Sequence, residues 1–252
     1  MWAFAQEAAP LLKLGFVFMA SGLMSAGAAY LVRLIVLHDS GIDAAGLYQA
    51  AWVLGGIYAA FILNSMGVDF YPRLTAVADS DKDCCRLVNE QARISLLLAA
   101  PGVLATLTFA PLAMIIFYSA AFQPASDLLR WICLGMMLRI ISWPMGFIIV
   151  ARGAQKIFFW TEVAVTIVNV GLAYILVKLV GLDGAGMAFF GLYVVHSILM
   201  YVIVRKTAGF RWSAENAKLG LSVLSLAAVV FGSVELLPTI PACRLRWRRA
   251  WR

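Results

Sequence analysis

Long apolar segments recur along this chain and limit what it can fold into. A helix rises about 1.5 Å per residue, so a segment of about 20 residues crosses the roughly 30 Å hydrocarbon core of a bilayer. The pattern therefore predicts an all-α, polytopic helical membrane protein with six to seven transmembrane helices. The predicted spans lie at 14–37, 44–66, 94–118, 128–150, 158–180 and 184–204, with a weaker seventh at 219–237.

Composition excludes the other common classes of protein. Hydrophobic residues make up 63% of the 252 residues and charged residues 13%, whereas soluble domains average about 45–50% and about 25%. The short alternating segments that mark an outer-membrane barrel are absent. The first ten residues include Glu7 and lead into an apolar stretch too long for a cleaved signal peptide.

Lysine and arginine are distributed unevenly among the predicted connections. The links at 68–93, 151–157 and 205–218 carry basic residues. The links at 38–43, 119–127 and 181–183 carry none. By the positive-inside rule, the N-terminus and the three basic links face the cytoplasm, and the first six spans all agree with this orientation.

The C-terminal region departs from this pattern, because a seventh crossing would place five arginines outside. We predict a six-helix transmembrane bundle at 1–213, a seventh hydrophobic helix at 214–238 whose crossing is left open, and a basic tail at 239–252. The abrupt change in composition favours a non-native tail over an anchor for anionic lipid. Removing these five arginines from the net charge of +7 leaves +2, so we expect no nucleic-acid partner. They are Arg244, Arg246, Arg248, Arg249 and Arg252.

Residues typical of enzymes are missing from the sequence. The four cysteines form no Cys-x-x-Cys pair, and the two histidines are isolated. There is no phosphate-binding glycine loop, nucleophile elbow or metal-ligating pair. We therefore predict no enzyme, catalytic residue, cofactor or metal. A membrane-bound sugar transferase would need carboxylates or histidines clustered on an outer loop, and the predicted outer links are too short.

Polar side chains within the predicted spans indicate an interior cavity. An ionisable group near the bilayer centre costs roughly 2.5–3.5 kcal/mol, so such groups normally face protein or water. Arg139 lies midway along the fourth span, on a face shared with Ser142, Trp143 and Gly146. We predict that Arg139 lines a cavity. The alternative is an arginine that ties two helices together.

Other spans carry similar polar stripes. Their members are Glu162, Thr166 and Asn169 on the fifth span, Tyr193, His196 and Ser197 on the sixth, and Ser21, Ser25 and Arg33 on the first. For the serines, close helix packing is the favoured interpretation. For His196, a hydrogen-bonded interior histidine is favoured over proton coupling. Together these faces suit the passage of a large, hydrophilic, anionic substrate.

Six blocks, in this order, carry a resemblance to a known family. They are GLYQAAW at 46–52, DFYPRLTAV at 69–77, LVNEQ at 87–91, SWPMGF at 142–147, FFWTE at 158–162 and GFRWS at 209–213. Between residues 11 and 213 the chain resembles the O-antigen translocases, which are polysaccharide flippases of the multidrug/oligosaccharidyl-lipid/polysaccharide exporter superfamily. No single block is specific, but the ordered set is.

The resemblance implies two six-helix lobes around a central cavity, of which this chain corresponds to the C-terminal lobe. It implies alternating-access export of undecaprenyl-diphosphate-linked O-antigen or related repeat units across the bacterial inner membrane. The implied partners are this lipid-linked oligosaccharide, membrane lipid, and a separate N-terminal lobe or the polysaccharide assembly machinery. A truncated, inactive remnant is an alternative. So is a drug or cation exporter of the same superfamily, which would favour acidic cavity residues.

The family's positively charged lumen maps onto Arg139 and Arg33. Arg130 and Lys178, near the predicted outer face, are assigned to anchoring at the membrane interface. The predicted substrate-binding residues are Arg139, Trp143, Arg33, Asn169 and Tyr193, and the candidates for ion coupling are Glu162 and His196.

Overall fold

The computed structural model describes the backbone of residues 2–236 and the side chains of residues 15–233. The predicted tail at 239–252 lies outside these residues. A π-helical turn, Met66–Phe70, leads from α1 to α2, and a 3-10 helix, Ala120–Ala125, precedes α4. The α-helices of the described chain are α1 (Trp2–Ser65), α2 (Tyr71–Thr75), α3 (Asp81–Phe117), α4 (Ser126–Ala151), α5 (Gln155–Val180), α6 (Asp183–Ala208) and α7 (Ala214–Leu236).

Helix α1 contains the first two predicted spans as two arms joined at Gly41. There φ is 87° and ψ is 176°, a conformation that glycine adopts without the clash a Cβ would cause. Arg33 donates a hydrogen bond to the side-chain oxygen of Gln49, although the two are 16 positions apart. A continuous helix would separate them by about 24 Å. The helix therefore folds back at Gly41, and its arms lie side by side.

Helix α4 forms the centre of the bundle. It packs against α3, α6 and the arms of α1, and its side chains at Leu128, Ile132 and Ile140 are buried. Helix α5 lies at the periphery, since it exposes large apolar side chains such as Ile167 and Leu179. Apolar surface of this kind suits contact with lipid chains rather than water.

Six helices in the described part of the chain are long and apolar enough to cross a membrane. The first candidate, Gly15–Thr75, has 61 residues, so its two arms together suffice for two crossings. The all-α, polytopic membrane fold predicted from the sequence is confirmed.

The three basic links meet at one end of the bundle, where Arg152 joins them. Its guanidinium donates to the carbonyl oxygens of Ala78, at 3.1 Å, and Thr207, at 2.8 Å. It also pairs with the carboxylate of Asp81. Segments far apart in sequence therefore share the end at which α4 finishes.

Helix α7 extends from this end to the opposite one. Near its start, Glu215 pairs with Arg93 of α3 at 2.6 Å. Further along, the ring of Phe231 lies 4.8 Å from that of Trp131, near the beginning of α4. Between these contacts, Val223 packs in a cluster formed by α3, α4 and α7. The seventh hydrophobic helix thus spans the length of the bundle.

Candidate functional site

A cavity of about 140 Å³ lies between the two arms of α1 and helices α4, α5 and α6. This volume is comparable with that of a small anion such as a diphosphate and much smaller than that of an oligosaccharide. The small side chains of Ser25, Ala28 and Ala29, on the first arm, leave this space open.

Arg139 projects from α4 into the cavity. Its guanidinium carbon lies 4.7 Å from the ring centre of Trp143 and 5.8 Å from that of Tyr193, which are cation–π distances. Its Nε is buried and has no hydrogen-bond partner in the described chain. A buried polar group left in this state costs about 1–3 kcal/mol. The Arg139 guanidinium therefore keeps hydrogen-bonding capacity that the described chain does not use.

Arg130, on the same helix, has the opposite surroundings. It is 4% exposed, its Nε donates to the carbonyl oxygen of Leu107 at 3.0 Å, and its Nη1 pairs with Asp127. The prediction that Arg130 anchors the membrane interface is wrong, because this guanidinium ties α4 to α3. Lys178, in contrast, is exposed and donates to the hydroxyl of Tyr174 at 2.6 Å.

Helix α5 contributes a polar stripe to the cavity, with Glu162, Thr166 and Asn169 on its lining. Glu162 therefore shares the cavity with Arg139 of α4. Among the described residues, Glu162 and Arg139 do not form an ion pair, since no carboxylate oxygen of Glu162 lies within 4.0 Å of a guanidinium nitrogen of Arg139. The cavity therefore holds two opposite charges that do not touch.

His196 lies on the cavity wall and is hydrogen-bonded. Its Nδ1 is 3.1 Å from the hydroxyl of Ser142, and both side chains are buried. The same hydroxyl lies 3.2 Å from the carbonyl oxygen of Arg139. This contact agrees with the hydrogen-bonded interior histidine, and proton coupling by His196 stays a prediction.

Three aromatic residues of the wall were not predicted from the sequence as site residues. Trp52 and Phe189 have ring centres 4.9 Å apart, as do Phe189 and Tyr193. Tyr48 lies one helical turn before Trp52, with ring centres 6.1 Å apart. The signal for two of them was the block GLYQAAW, which places Tyr48 and Trp52 four positions apart on one helical face.

The structure brings six of the seven candidate residues together. They are Arg139, Trp143, Asn169, Tyr193, Glu162 and His196. Arg33 is not part of this lining. It lies nearer the turn at Gly41, is exposed, and its guanidinium is bound to Gln49 of the second arm.

Two other features of the described residues bear on the site. No group of three or more His, Cys, Asp or Glu side chains is placed to hold a metal ion within that part of the chain. A larger groove of about 370 Å³ lies between α5 and α6, with Lys156 and Trp160 in its lining. Its lining is almost wholly apolar, so it offers little to fix the orientation of a polar substrate.

Comparisons with known proteins lead to flippases. No family model matches the chain. It is 22% identical over 166 residues to the lipid III flippases of Escherichia coli (strain K12) and Shigella flexneri, covering 66% of this chain and 40% of each relative. A solved structure of the lipid II flippase MurJ, in an inward closed conformation, matches with a TM-score of 0.67 and 18% identity, over 88% of this chain and 48% of MurJ.

The chain spans less than half the length of each of these proteins. The matches agree with the predicted class of transporter and with a membrane-embedded bundle. The chain therefore has the fold of part of the lipid II flippase MurJ and is similar in sequence to lipid III flippases.

Proposed function

We propose that this chain is one lobe of a flippase that moves a polyprenyl-diphosphate-linked oligosaccharide, an O-antigen or related repeat unit, from the cytoplasmic to the periplasmic leaflet of the inner membrane. The observation that carries the proposal is Arg139, whose buried Nε has no acceptor in the described chain. A second lobe, or a second copy of the chain, completes the pathway. Support for a lipid-linked substrate comes from the similarity to lipid III and lipid II flippases.

The guanidinium is well placed to recognise a diphosphate. A guanidinium donates two parallel hydrogen bonds to phosphate oxygens, whereas an ammonium acts as a point charge. The rings of Trp143 and Tyr193 lie beside the Arg139 side chain and restrict its orientation. Because the cavity has room for a small anion but not for a sugar chain, we assign it to the charged headgroup and place the sugars outside it.

O-antigen specificity is the narrower part of the proposal. It is supported by the six ordered sequence blocks, of which SWPMGF and FFWTE contain the cavity residues Trp143 and Glu162.

Export of a drug or an organic cation is the second candidate function. Glu162 favours it, because a carboxylate beside aromatic rings attracts a cation. Arg139 in the same cavity opposes it. Diphosphate export therefore predicts that substrate binding depends on Arg139, whereas cation export predicts that it depends on Glu162.

Binding measurements on the full chain test the proposal. The protein is placed in nanodiscs of zwitterionic lipid, and binding of undecaprenyl diphosphate, undecaprenol and tetraphenylphosphonium is measured by native mass spectrometry. We expect the diphosphate to bind, Arg139→Ala to weaken its binding about tenfold or more, and Arg139→Lys to restore part of it. Arg33→Ala is the matched control, because Arg33 lies outside the cavity lining.

Three outcomes would contradict the proposal. One is equal binding of undecaprenyl diphosphate and undecaprenol. Another is wild-type binding by Arg139→Ala at normal abundance. The third is binding of tetraphenylphosphonium that disappears in Glu162→Gln while the diphosphate does not bind, which would instead support the cation exporter.

A further inference from the structure

The charge inside the cavity is set by two residues. Among the described residues that line it, Arg139 is the basic residue and Glu162 is the acidic residue. His196 also lines the cavity. The Nδ1 atom of His196 is hydrogen-bonded to the hydroxyl of Ser142, so one of its two ring nitrogens already has a partner. The electrostatic potential that an entering anion meets therefore depends mainly on Arg139 and Glu162.

These two residues differ from the other arginine and carboxylate neighbours in the described bundle. Arg130 pairs with Asp127, and Arg152 pairs with Asp81, each in direct contact. Glu162 instead lines the same cavity as Arg139 without forming an ion pair with it within 4.0 Å. The carboxylate lowers the positive potential of the cavity and leaves the guanidinium free.

We infer that Glu162 is the resident counter-charge that offsets the attraction of Arg139 for the substrate's diphosphate and thereby sets how readily the lobe releases it. The inference rests on the proposed function. A half-buried arginine alone would hold a diphosphate tightly, since charges attract more strongly where water is scarce. A transporter must also let its cargo go, so tight binding in the loaded state slows turnover. Glu162 offsets part of the attraction throughout the cycle.

Neutralising the carboxylate tests this role. In Glu162→Gln, which keeps the shape of the side chain, we expect undecaprenyl diphosphate to bind about tenfold more tightly and to dissociate correspondingly more slowly. Glu162→Asp keeps the charge, and we expect its affinity to stay within about twofold of wild type. Glu215→Gln, the same change in an exposed pair with Arg93, is the matched control and leaves binding unchanged.

The second half of the test asks whether the effect acts through Arg139. In an Arg139→Gln background, we expect Glu162→Gln to change affinity much less than it does in the wild type, because without Arg139 the diphosphate is no longer held in the cavity beside Glu162. Thermal unfolding of each variant shows that it is folded. Affinity and dissociation rate are measured on the same nanodiscs.

The results separate this inference from the proposed function. If Arg139→Gln weakens diphosphate binding and Glu162→Gln does not tighten it, the flippase proposal stands and the counter-charge role is overturned. An equal gain from Glu162→Gln with and without Arg139 also overturns it, since the effect of Glu162 would then not depend on a diphosphate held by Arg139. If Arg139→Gln leaves diphosphate binding unchanged, the proposed function itself fails.

Discussion

Two arginines on α4, Arg130 and Arg139, show how surroundings decide the role of a residue. Both lie inside the bundle, yet Arg130 has a carbonyl oxygen and a carboxylate as partners. Arg139 has two aromatic rings and an Nε without an acceptor in the described chain. The first arrangement stabilises the contact of two helices, and the second leaves hydrogen-bonding capacity for a ligand.

Arg130→Ala should therefore lower the stability of the protein, whereas Arg139→Ala should weaken substrate binding and leave stability almost unchanged. Arg130→Ala removes one charge-assisted hydrogen bond between α4 and α3 and one ion pair within α4, which we expect to lower the free energy of unfolding by about 2 kcal/mol and Tm by about 4–8 °C. Arg139→Ala should leave Tm within about 2 °C of wild type. Thermal unfolding in detergent measures both, and a larger loss for Arg139→Ala would make Arg139 the helix tie.

At the scale of elements, glycines allow α4 and α6 to pack closely enough to form one wall of the cavity. A Cβ on Gly135 would overlap the ring of Phe189, and one on Gly186 would lie 2.7 Å from the Cβ of Trp131. Small residues at such interfaces let helix backbones approach. The close approach brings His196 within hydrogen-bonding distance of Ser142.

Gly186→Ala tests this packing. The added methyl group would also meet the backbone oxygen of Leu128 at 3.0 Å, so the helices must move apart. We expect a loss of about 1–3 kcal/mol in the free energy of unfolding. Gly171→Ala, on α5, is the matched control, because its Cβ would meet nothing within 4 Å. Equal thermal stability of the two variants would refute the packing role.

The start of α3 is stabilised outside the membrane by a capping interaction. The backbone N–H of Asp83 donates to the Ser80 hydroxyl, and that hydroxyl donates to the Asp83 carboxylate at 2.8 Å. This hydrogen bond, and next the one from Arg86, hold the pKa of Asp83 below its usual range. The spacing of Ser80 and Asp83 is that of a helix N-cap, and α3 continues from this cap into the span.

The lowered pKa of Asp83 implies a pH-dependent contribution to stability. The folded state favours the ionised carboxylate, so the contribution is present above the unfolded pKa of about 3.9 and is lost as pH falls below it. We expect Asp83→Asn to lower Tm at pH 7 and to differ less from wild type near pH 3. Asp79→Asn, a nearby exposed carboxylate, should show no such convergence. Circular dichroism melts at both pH values measure this.

At the scale of the whole molecule, contacts and charges define two ends of the bundle. The basic links meet at one end around Arg152, and the turn of α1 at Gly41 lies away from them. Helix α7 begins beside Arg93 and passes Trp131 near the other end. A membrane orientation assigned to one link therefore applies to all three.

Reporter fusions test this orientation. The positive-inside rule places the end with the three basic links in the cytoplasm, and we expect α7 to carry the chain across once more. We expect cytoplasmic signals after Asp81, Gln155 and Ala208, and external signals after Asp39, Gln123, Leu182 and Leu236. A cytoplasmic signal after Leu236 would show that α7 does not cross, and an external signal after Asp81 would overturn the whole topology.

The number, type and approximate limits of the spans follow from the sequence alone. Hydropathy depends on transfer of each segment into lipid, which is a property of local composition. The same holds for the Ser80 cap and for the depth of Arg139 within the fourth span. The break at Gly41 agrees with the predicted link at 38–43, although the chain is helical up to this residue and again directly after it.

Only the tertiary structure decided which polar residues share a cavity. Arg33 and Arg139 have the same chemistry, and both lie in predicted spans. Arg33 is hydrogen-bonded to Gln49, whereas Arg139 lines a cavity together with Glu162 of α5. The aromatic wall formed by Trp52 and Phe189 likewise joins segments far apart in sequence. Helical periodicity gives the face on which a residue lies, but the neighbour of that face depends on how the helices pack.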